Sequence, residues 1–222
     1  PSSSSAASDV YKRQILGLYP VESGQIFLED IEITKLSTRE RRLTGISFIP
    51  EDRQSQGLVV ESNLIENIIL GKQSSNTYSS KFKNVLFKNA SKNSKDVVDN
   101  YEVKTPNVQT LALALSGGNQ QKFVVGREID GKPTFLLASQ PTRGVDIGAQ
   151  ALIWDKLKEA RDMGLGVLLI SADLDELLGL SDKLYVIYEG KLVKQLEPTE
   201  ASPEQLGSYC LLYTSDAADE LL

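Results

Sequence analysis

Short apolar runs alternate along the chain with segments in which apolar positions recur at helical spacing. An uninterrupted apolar run is typical of a buried strand, because a strand of a parallel sheet is covered on both faces. Such runs predict strands at Ile46–Ile49, Thr134–Ala138 and Gly166–Ser171. Helical spacing predicts helices over Gln120–Asp130 and Asp146–Met163. The chain is therefore expected to contain a mostly parallel sheet with helices between its strands.

The helix predicted over residues 146–163 has a distinct apolar side. Its members are Ala151, Ile153, Trp154, Leu157 and Ala160. A single tryptophan in such a stripe is expected to pack in the core. Gly164 follows the pattern and is expected to end the helix, as glycine commonly does after a last turn.

The middle of the chain has weaker patterns. Leu64, Ile65, Ile68 and Ile69 have the spacing of a helix, and a polar run rich in Ser, Asn and Lys follows over residues 73–95. Such a run is usually solvated surface or a mobile loop. Only helical pieces with weak boundaries, and no catalytic residue, are expected there.

Two acidic residues near the C-terminal end have the spacing of a helix start. Asp173 is expected to begin a helix, and Glu176, three residues later, to complete a capping box. Both acids are therefore predicted to be structural rather than metal-binding. Beyond them, residues 181–193 predict two strands joined by a turn at Glu189–Gly190.

The most informative local pattern is Leu-Ser-Gly-Gly-Asn-Gln-Gln-Lys at residues 115–122, directly ahead of a predicted helix. Ser116 is a good N-cap, and Gly117 and Gly118 leave the backbone open to close approach. The first N–H groups of a helix have no internal partner and carry the positive end of its dipole, so the turn suits a phosphate. Taken alone, this pattern is better explained by an ordinary helix cap.

Composition narrows the possible functions. The chain has 222 residues, enough for one sizeable core, with a formal charge of −6 and a pI near 4.9. An acidic balance argues against nucleic-acid binding, which needs a basic face. There is no histidine, the commonest general base and metal ligand, and the single cysteine excludes an internal disulfide. No apolar run reaches the length of about 18 residues that predicts a membrane span.

The joint pattern of residues 115–122, the apolar run at 134–138 and Ser-Gln-Pro-Thr-Arg-Gly-Val-Asp at 139–146 resembles the nucleotide-binding domain of ABC transporters. The wording is most similar to the second such domain of the tandem ATPases that serve bacterial simple-sugar and nucleoside importers. The resemblance covers residues 15–195. It implies an α/β, P-loop NTPase-like fold with a mostly parallel sheet core and an inserted small α-helical subdomain, and ATP with Mg²⁺ as cofactors.

The same resemblance implies a division of the chain. Residues 15–57 and 123–196 would form the core, residues 58–122 the helical subdomain ending in the signature motif, and residues 197–209 a linker. A strand is expected at Gln25–Glu29. In the family, a Walker A loop ending in Gly-Lys-Ser/Thr lies upstream of this strand, and the sequence lacks it, so an N-terminally truncated domain with little ATP affinity of its own is expected.

The two ends of the sequence are related through their possible codons. Residues 4–14, SSAASDVYKRQ, can be encoded by DNA whose reverse complement, read from the second base, encodes the start of residues 210–220, CLLYTSDAADE. This relation is expected of a sequencing-library adapter translated at both ends of a DNA fragment, so residues 1–14 and 210–222 are predicted to be non-native. The alternative is a flexible Ser-rich arm and an amphipathic tail.

The resemblance also implies the site residues. The residues predicted to bind the nucleotide are Leu115, Ser116, Gly117, Gly118, Asn119, Gln120, Ser139, Asp146 and Ala172. The two catalytic positions, Glu51 and Gln140, depart from the family pattern of a Q-loop glutamine and a Walker B Asp-Glu pair, and Ala172 stands where a switch histidine is usual. Gln140 could still hold a water by hydrogen bonds. Glu51 could hold a metal-bound water, or could instead pair with Arg53 or lie in a solvated loop; no metal ligand is predicted.

These departures, beside an intact signature, imply a lopsided pair of domains. Two ABC domains sandwich ATP between the Walker motifs of one and the signature of the other, so this domain would complete the site of a second domain in the same full-length chain while hydrolysing poorly at its own. The implied partners are membrane permeases and, indirectly, a solute-binding lipoprotein, at the cytoplasmic face of the membrane; no nucleic acid is expected. The wording favours nucleosides over sugars, and the fragment alone is expected to be inactive. A soluble non-transport ABC ATPase and a regulatory nucleotide-binding module remain open.

Overall fold

The computed structural model describes residues 4–80, 84–188 and 190–201. In chain order the helices are α1 (Ser4–Ile15), α2 (Thr38–Leu43), α3 (Leu64–Ile69), α4 (Phe87–Asn100), α5 (Gly117–Asp130), α6 (Ile147–Asp162) and α7 (Leu174–Leu180). The strands are β1 (Phe27–Leu28), β2 (Ile31–Glu32), β3 (Ile46–Ile49), β4 (Phe135–Ser139), β5 (Gly166–Ile170), β6 (Leu184–Tyr188) and β7 (Lys191–Leu196). Across these ranges every helix is too short or too polar to span a bilayer.

A parallel sheet in the order β3-β4-β5 forms the centre of the core. The predicted strand Ile46–Ile49 is confirmed at both ends, and the other two predicted strands are shifted by one residue at most at each end. Leu136, Leu137 and Ala138 of the middle strand are fully buried. The prediction that Gly166–Ser171 is a buried strand is wrong in degree: β5 is half-buried with Gly166 exposed, because it lies beside only one other described strand.

Two antiparallel pairs flank this sheet, β1 with β2 and β6 with β7. The strand expected at Gln25–Glu29 is present but shorter, since β1 covers only Phe27 and Leu28. The two strands predicted within residues 181–193 are confirmed. Of their predicted turn, Gly190 has a left-handed φ of 78°, and Glu189 lies outside the described residues.

In the helical part, residues 58–122, α3 packs against α4, and α4 packs against α5, around one shared core. The expected helical pieces are α3 and α4, but the end of the polar run is not a mobile loop, because it belongs to α4, a continuous helix of 14 residues. Its buried face consists of Ala90, Ser94 and Val97, which leave no broad apolar stripe for a sequence pattern to show.

Helix α1 occupies the N-terminal segment predicted to be non-native. Its end is fixed through main-chain carbonyls, since the buried Arg41 donates to Gln14 O at 2.5 Å and to Ile15 O at 2.8 Å. The same guanidinium donates to Thr34 O and Leu36 O. The predicted C-terminal tail, 210–222, and most of the predicted linker lie outside the described residues.

Candidate functional site

The signature turn lies at the start of α5, a helix of 14 residues that begins three residues before the predicted Gln120. Ser116 is its N-cap, as predicted: the hydroxyl accepts from Asn119 N at 3.4 Å and from Asn119 Nδ2 at 2.9 Å. The Ser116 side chain is exposed. Because the first N–H groups of a helix have no intrahelical partner, the turn presents the hydroxyl of Ser116 and the N–H groups of Gly117 and Gly118 as donors.

Side chains from other loops lie close against the two glycines of the turn. A Cβ atom built at Gly118 would lie 2.7 Å from Asp146 Oδ2, and one built at Gly117 would lie 2.5 Å from Arg53 Nη2. Gly118 is buried and Gly117 half-buried. The sequence predicted only an open backbone at these positions. The structure adds that two side chains from other loops pack against it.

The remaining signature residues are buried or hydrogen-bonded to neighbouring segments of the chain. Leu115 is buried in the main core, and the Gln120 side chain is 2% exposed. The Gln120 amide donates to Ala112 O at 2.9 Å and accepts from Gln54 Nε2 at 3.1 Å. Asn119 Oδ1 accepts from a main-chain N–H at 2.9 Å. Within the signature, the reachable groups are therefore those of the Ser116–Gly117 turn, and nucleotide contact by the other members stays a prediction.

Asp146 joins the signature to the loop that follows β4. It is the N-cap of α6, with Oδ1 accepting from Ala149 N at 3.0 Å. This backbone hydrogen bond holds the pKa of Asp146 below its usual range, so the exposed carboxylate is ionised at neutral pH. Helix α6, Ile147–Asp162, is one residue shorter at each end than the predicted 146–163, because Asp146 is its N-cap. Of its predicted apolar side, Ala151 is exposed and is the one wrong member.

Ser139, Gln140 and Ala172 come together at the carboxyl ends of β4 and β5. Gln140 has a left-handed φ of 51°, and its Oε1 accepts from Ala172 N at 3.2 Å. Ser139 is buried, and its Oγ lies 3.3 Å from Lys12 Nζ. These residues line a cleft of about 1060 Å³ that extends along β5 towards β6. Neither Ser139 nor Gln140, the residues at the end of β4 where the chemistry of such sheets is placed, carries a carboxylate.

The carboxylate of Glu51, in the loop after β3, is paired with basic side chains. It pairs with Arg143 Nη1 and lies 3.9 Å from Lys12 Nζ. The predicted alternative, an ion pair between Glu51 and Arg53, is wrong because the partner of Glu51 is Arg143. Arg53 instead donates to Arg143 O at 3.0 Å and to Gly144 O at 3.4 Å.

The sequence-based prediction misplaced one carboxylate, that of Glu176. Asp173 caps α7 by accepting from the N–H groups of Asp175 and Glu176, as expected. The Glu176 side chain, however, faces inward at 1% exposure, where it accepts from Thr142 Oγ1 at 2.7 Å and from Trp154 Nε1 at 3.1 Å. The signal that could have found it is the tryptophan itself, because a buried indole N–H needs an acceptor.

The described residues contain no group of three His, Cys, Asp or Glu side chains that could hold a metal ion. The donors at the signature turn are N–H and O–H groups, which suit an anion and not a cation.

Comparison with known proteins identifies the family. The model of the ABC transporter family matches residues 12–143, more than half of the chain. The chain is 42% identical over 194 residues to the guanosine import ATP-binding protein NupO of Bacillus subtilis, covering 87% of this chain and 38% of that protein. It is 37% identical over 199 residues to the nucleoside import ATP-binding protein NupA of Lactococcus lactis, covering 88% and 38%. The ribose import ATP-binding protein RbsA of Clostridium tetani is 34% identical over 203 residues, covering 91% and 40%.

The chain thus spans about two fifths of the length of these relatives. Among solved structures, the ATP-binding cassette MJ0796 in a dimeric post-hydrolysis state with ADP and Pi has a TM-score of 0.72 at 19% identity, covering 87% of this chain and 82% of that one. A nucleotide-free ATP-binding cassette from an ABC transporter has a TM-score of 0.71 at 21% identity, covering 94% and 80%. These likenesses confirm the α/β, P-loop NTPase-like fold. The chain belongs to the ABC transporter family.

Proposed function

We propose that this chain is the second nucleotide-binding half of a tandem ATP-binding subunit, and that it completes an ATP site whose Walker motifs lie on the other half. The observation that carries the proposal is the exposed Ser116 turn at the mouth of α5. That turn offers the Ser116 hydroxyl and the N–H of Gly117 as donors, and side chains from other loops of the same chain lie against its backbone.

The donor set of the turn fits the phosphates of ATP. Its donors are preset on a rigid helix, and the positive end of the helix dipole adds to them. Arg53 Nη2 lies beside Gly117 and adds a positive charge near the same spot. ATP supplies the γ-phosphate whose hydrolysis drives transport. Mg²⁺ would accompany the ATP, held mainly by the phosphates and water with one or two protein oxygens.

The site of this half itself is proposed to hydrolyse poorly. Ser139 and Gln140, at the end of β4, carry no charge with which to arrange magnesium or polarise a water. The Gln140 amide is already bonded to Ala172 N, and the Glu51 carboxylate to Arg143. This arrangement supports a division of labour in which the other half hydrolyses and this half clamps.

The transported substrate is proposed to be a nucleoside, with simple sugars as the second choice. Among the relatives compared above, those named for guanosine and nucleoside import are 42% and 37% identical to this chain, and the one named for ribose import is 34% identical. The subunit would act with membrane permeases, and indirectly with a solute-binding lipoprotein, at the cytoplasmic face of the membrane.

A matched pair of substitutions tests the division of labour. In the full-length protein with its permeases, the Walker A lysine is changed to alanine in one half or the other, and ATP turnover is measured. Loss of this lysine in the other half is expected to reduce turnover about a hundredfold or more, because that half hydrolyses. The same change in this half is expected to reduce turnover less than about tenfold. Equal losses, or the reverse order, would contradict the proposal.

A further inference from the structure

Two loops follow the carboxyl ends of neighbouring parallel strands and contact each other through charged side chains. The loop of residues 50–57 follows β3, and the loop of residues 139–146 follows β4. The Glu51 carboxylate of the first loop pairs with the Arg143 guanidinium of the second. In return, the Arg53 guanidinium of the first loop donates to the carbonyls of Arg143 at 3.0 Å and Gly144 at 3.4 Å.

The rest of the 139–146 loop is anchored from inside the domain. Gln121 Nε2 of α5 donates to Pro141 O at 2.7 Å in a buried contact. Thr142 Oγ1 donates to the buried Glu176 at 2.7 Å. Arg143 and Gly144 then lie exposed, and Gly144 has a left-handed φ of 66°. The contacts from Glu51 and Arg53 therefore hold the exposed part of the loop, where inward packing does not fix it.

Both loops also bear on the signature turn. Arg53 Nη2 occupies the space beside Gly117, where a Cβ atom would approach it to 2.5 Å. Asp146 Oδ2 occupies the corresponding space beside Gly118, at 2.7 Å. The same two side chains thus lie against the turn and belong to, or hydrogen-bond with, the 139–146 loop.

We infer that Glu51, Arg53 and Arg143 form a latch that holds the 139–146 loop against the signature turn, and that Glu51 is a positioning residue. The carboxylate acts by holding Arg143, and neither a metal-bound water nor a proton transfer is its task. The catalytic consequence of this latch rests on the proposed function, whereas its effect on the loop does not.

The latch acts on local geometry more than on global stability. The side chains of Arg143 and Glu51 are 65% and 40% exposed, and ion pairs so exposed add little to the free energy of unfolding. Opening the latch should therefore leave the fold intact and loosen residues 143–146. Amide hydrogen exchange measures such local opening directly.

The test is a charge swap in the full-length protein without nucleotide. Glu51→Arg and Arg143→Glu are each expected to speed amide exchange at residues 143–146 about tenfold, and the double variant to bring it back to within about threefold of wild type. Arg161→Glu, which removes an exposed arginine paired with Asp162 and Asp182, is the matched control and should leave these amides unchanged.

Single variants that leave exchange unchanged, or a double variant as fast as the singles, would overturn the latch. ATP turnover of the same proteins with their permeases adds the second readout. The swapped pair is expected to recover at least about half of the turnover that the singles lose. A carboxylate that served a metal or a water at residue 51 would leave the swapped variant as inactive as Glu51→Arg, and that result would overturn the positioning role. Because the exchange measurement needs no ATP, a failure of the proposed function leaves its outcome readable.

Discussion

Ser116→Arg in the full-length protein with its permeases is expected to reduce ATP turnover by about a hundredfold or more. Ser116 is exposed at the mouth of α5, so a bulky side chain would fill the space in which a phosphate would lie. The change also removes a preset hydroxyl donor, and losing one such donor commonly costs about 3 to 4 kcal/mol of transition-state stabilisation. Steady-state turnover at saturating ATP is the measurement.

Two further variants make this result specific. Ser116→Thr keeps the hydroxyl and the cap to Asn119, so turnover within about threefold of wild type is expected. Gln140→Ala is expected to lower turnover far less than Ser116→Arg, because that amide has no charge to lose and is bonded to Ala172 N. If Ser116→Arg keeps its ATP turnover while Gln140→Ala loses it, this half does not act by completing the ATP site of the other half.

Glu128→Gln is expected to destabilise the domain by about 3 to 5 kcal/mol, because breaking a buried ion pair leaves its cations uncompensated. Glu128 is fully buried, with Arg127 Nε at 2.8 Å and Arg42 Nη1 at 3.6 Å. It also accepts from Phe48 N of β3 at 3.5 Å. The measurement is the free energy of opening of the β4 amides, obtained from hydrogen exchange in increasing urea.

The free energy of unfolding that Glu128→Gln removes depends on pH, in a direction that follows from the pKa of Glu128. Burial alone would raise that pKa, but Arg127, Lys72 and Arg42 together outweigh burial and hold it below its ordinary value. A folded-state pKa below the unfolded value of about 4.3 contributes stability above that pH, and the contribution is lost as pH falls through the folded pKa. The gap between wild type and Glu128→Gln should therefore narrow below about pH 4.3. A gap that widens on acidification would contradict this account.

An exposed pair supplies the control for the buried one. Glu159 is paired with Lys156 at 2.8 Å, with its side chain 59% exposed. Glu159→Gln is expected to change the free energy of unfolding by less than about 1 kcal/mol, since exposed ion pairs contribute little. A loss as large as that of Glu128→Gln would show that burial is not the cause.

The local features of the fold could be predicted because they depend on neighbours in sequence. The run Ile46–Ile49 is apolar except for Ser47 and ends at Pro50, so the end of β3 could be predicted. Ser116 and Asp146 are N-caps whose acceptors lie three residues before the N–H groups they bind. Such features follow from spacing and side-chain chemistry alone.

Helix α4 escaped prediction because its packing requires small residues. Its buried Val97 approaches α5 closely, where a Cβ atom on Gly126 would lie 2.7 Å from the side chains of Val97 and Tyr101. This close helix contact depends on Gly126, which has no side chain, so no apolar residue marks it in the sequence. The sequence therefore shows a polar run where the structure has a helix.

The partners in the site could not be predicted because they are distant in sequence. The types of residue at Glu51, Ser116 and Gln140 could be read from the chain, but Glu51 meets Arg143 across 92 positions. The inward turn of Glu176 likewise depends on Trp154 and Thr142 from two other elements. Only the parallel pairing of β3 with β4 brings the loops after them together.

The central claim is that the Ser116 turn meets a nucleotide held by the other half, and photolabelling tests it most directly. The full-length protein is labelled with ATP that carries a photoreactive group on its γ-phosphate, and tryptic peptides are analysed. The account predicts label in the peptide of residues 105–122, lost when the Walker A lysine of the other half is changed and kept when that of this half is changed. Label that depends on the lysine of this half, or that never reaches this peptide, would contradict the account.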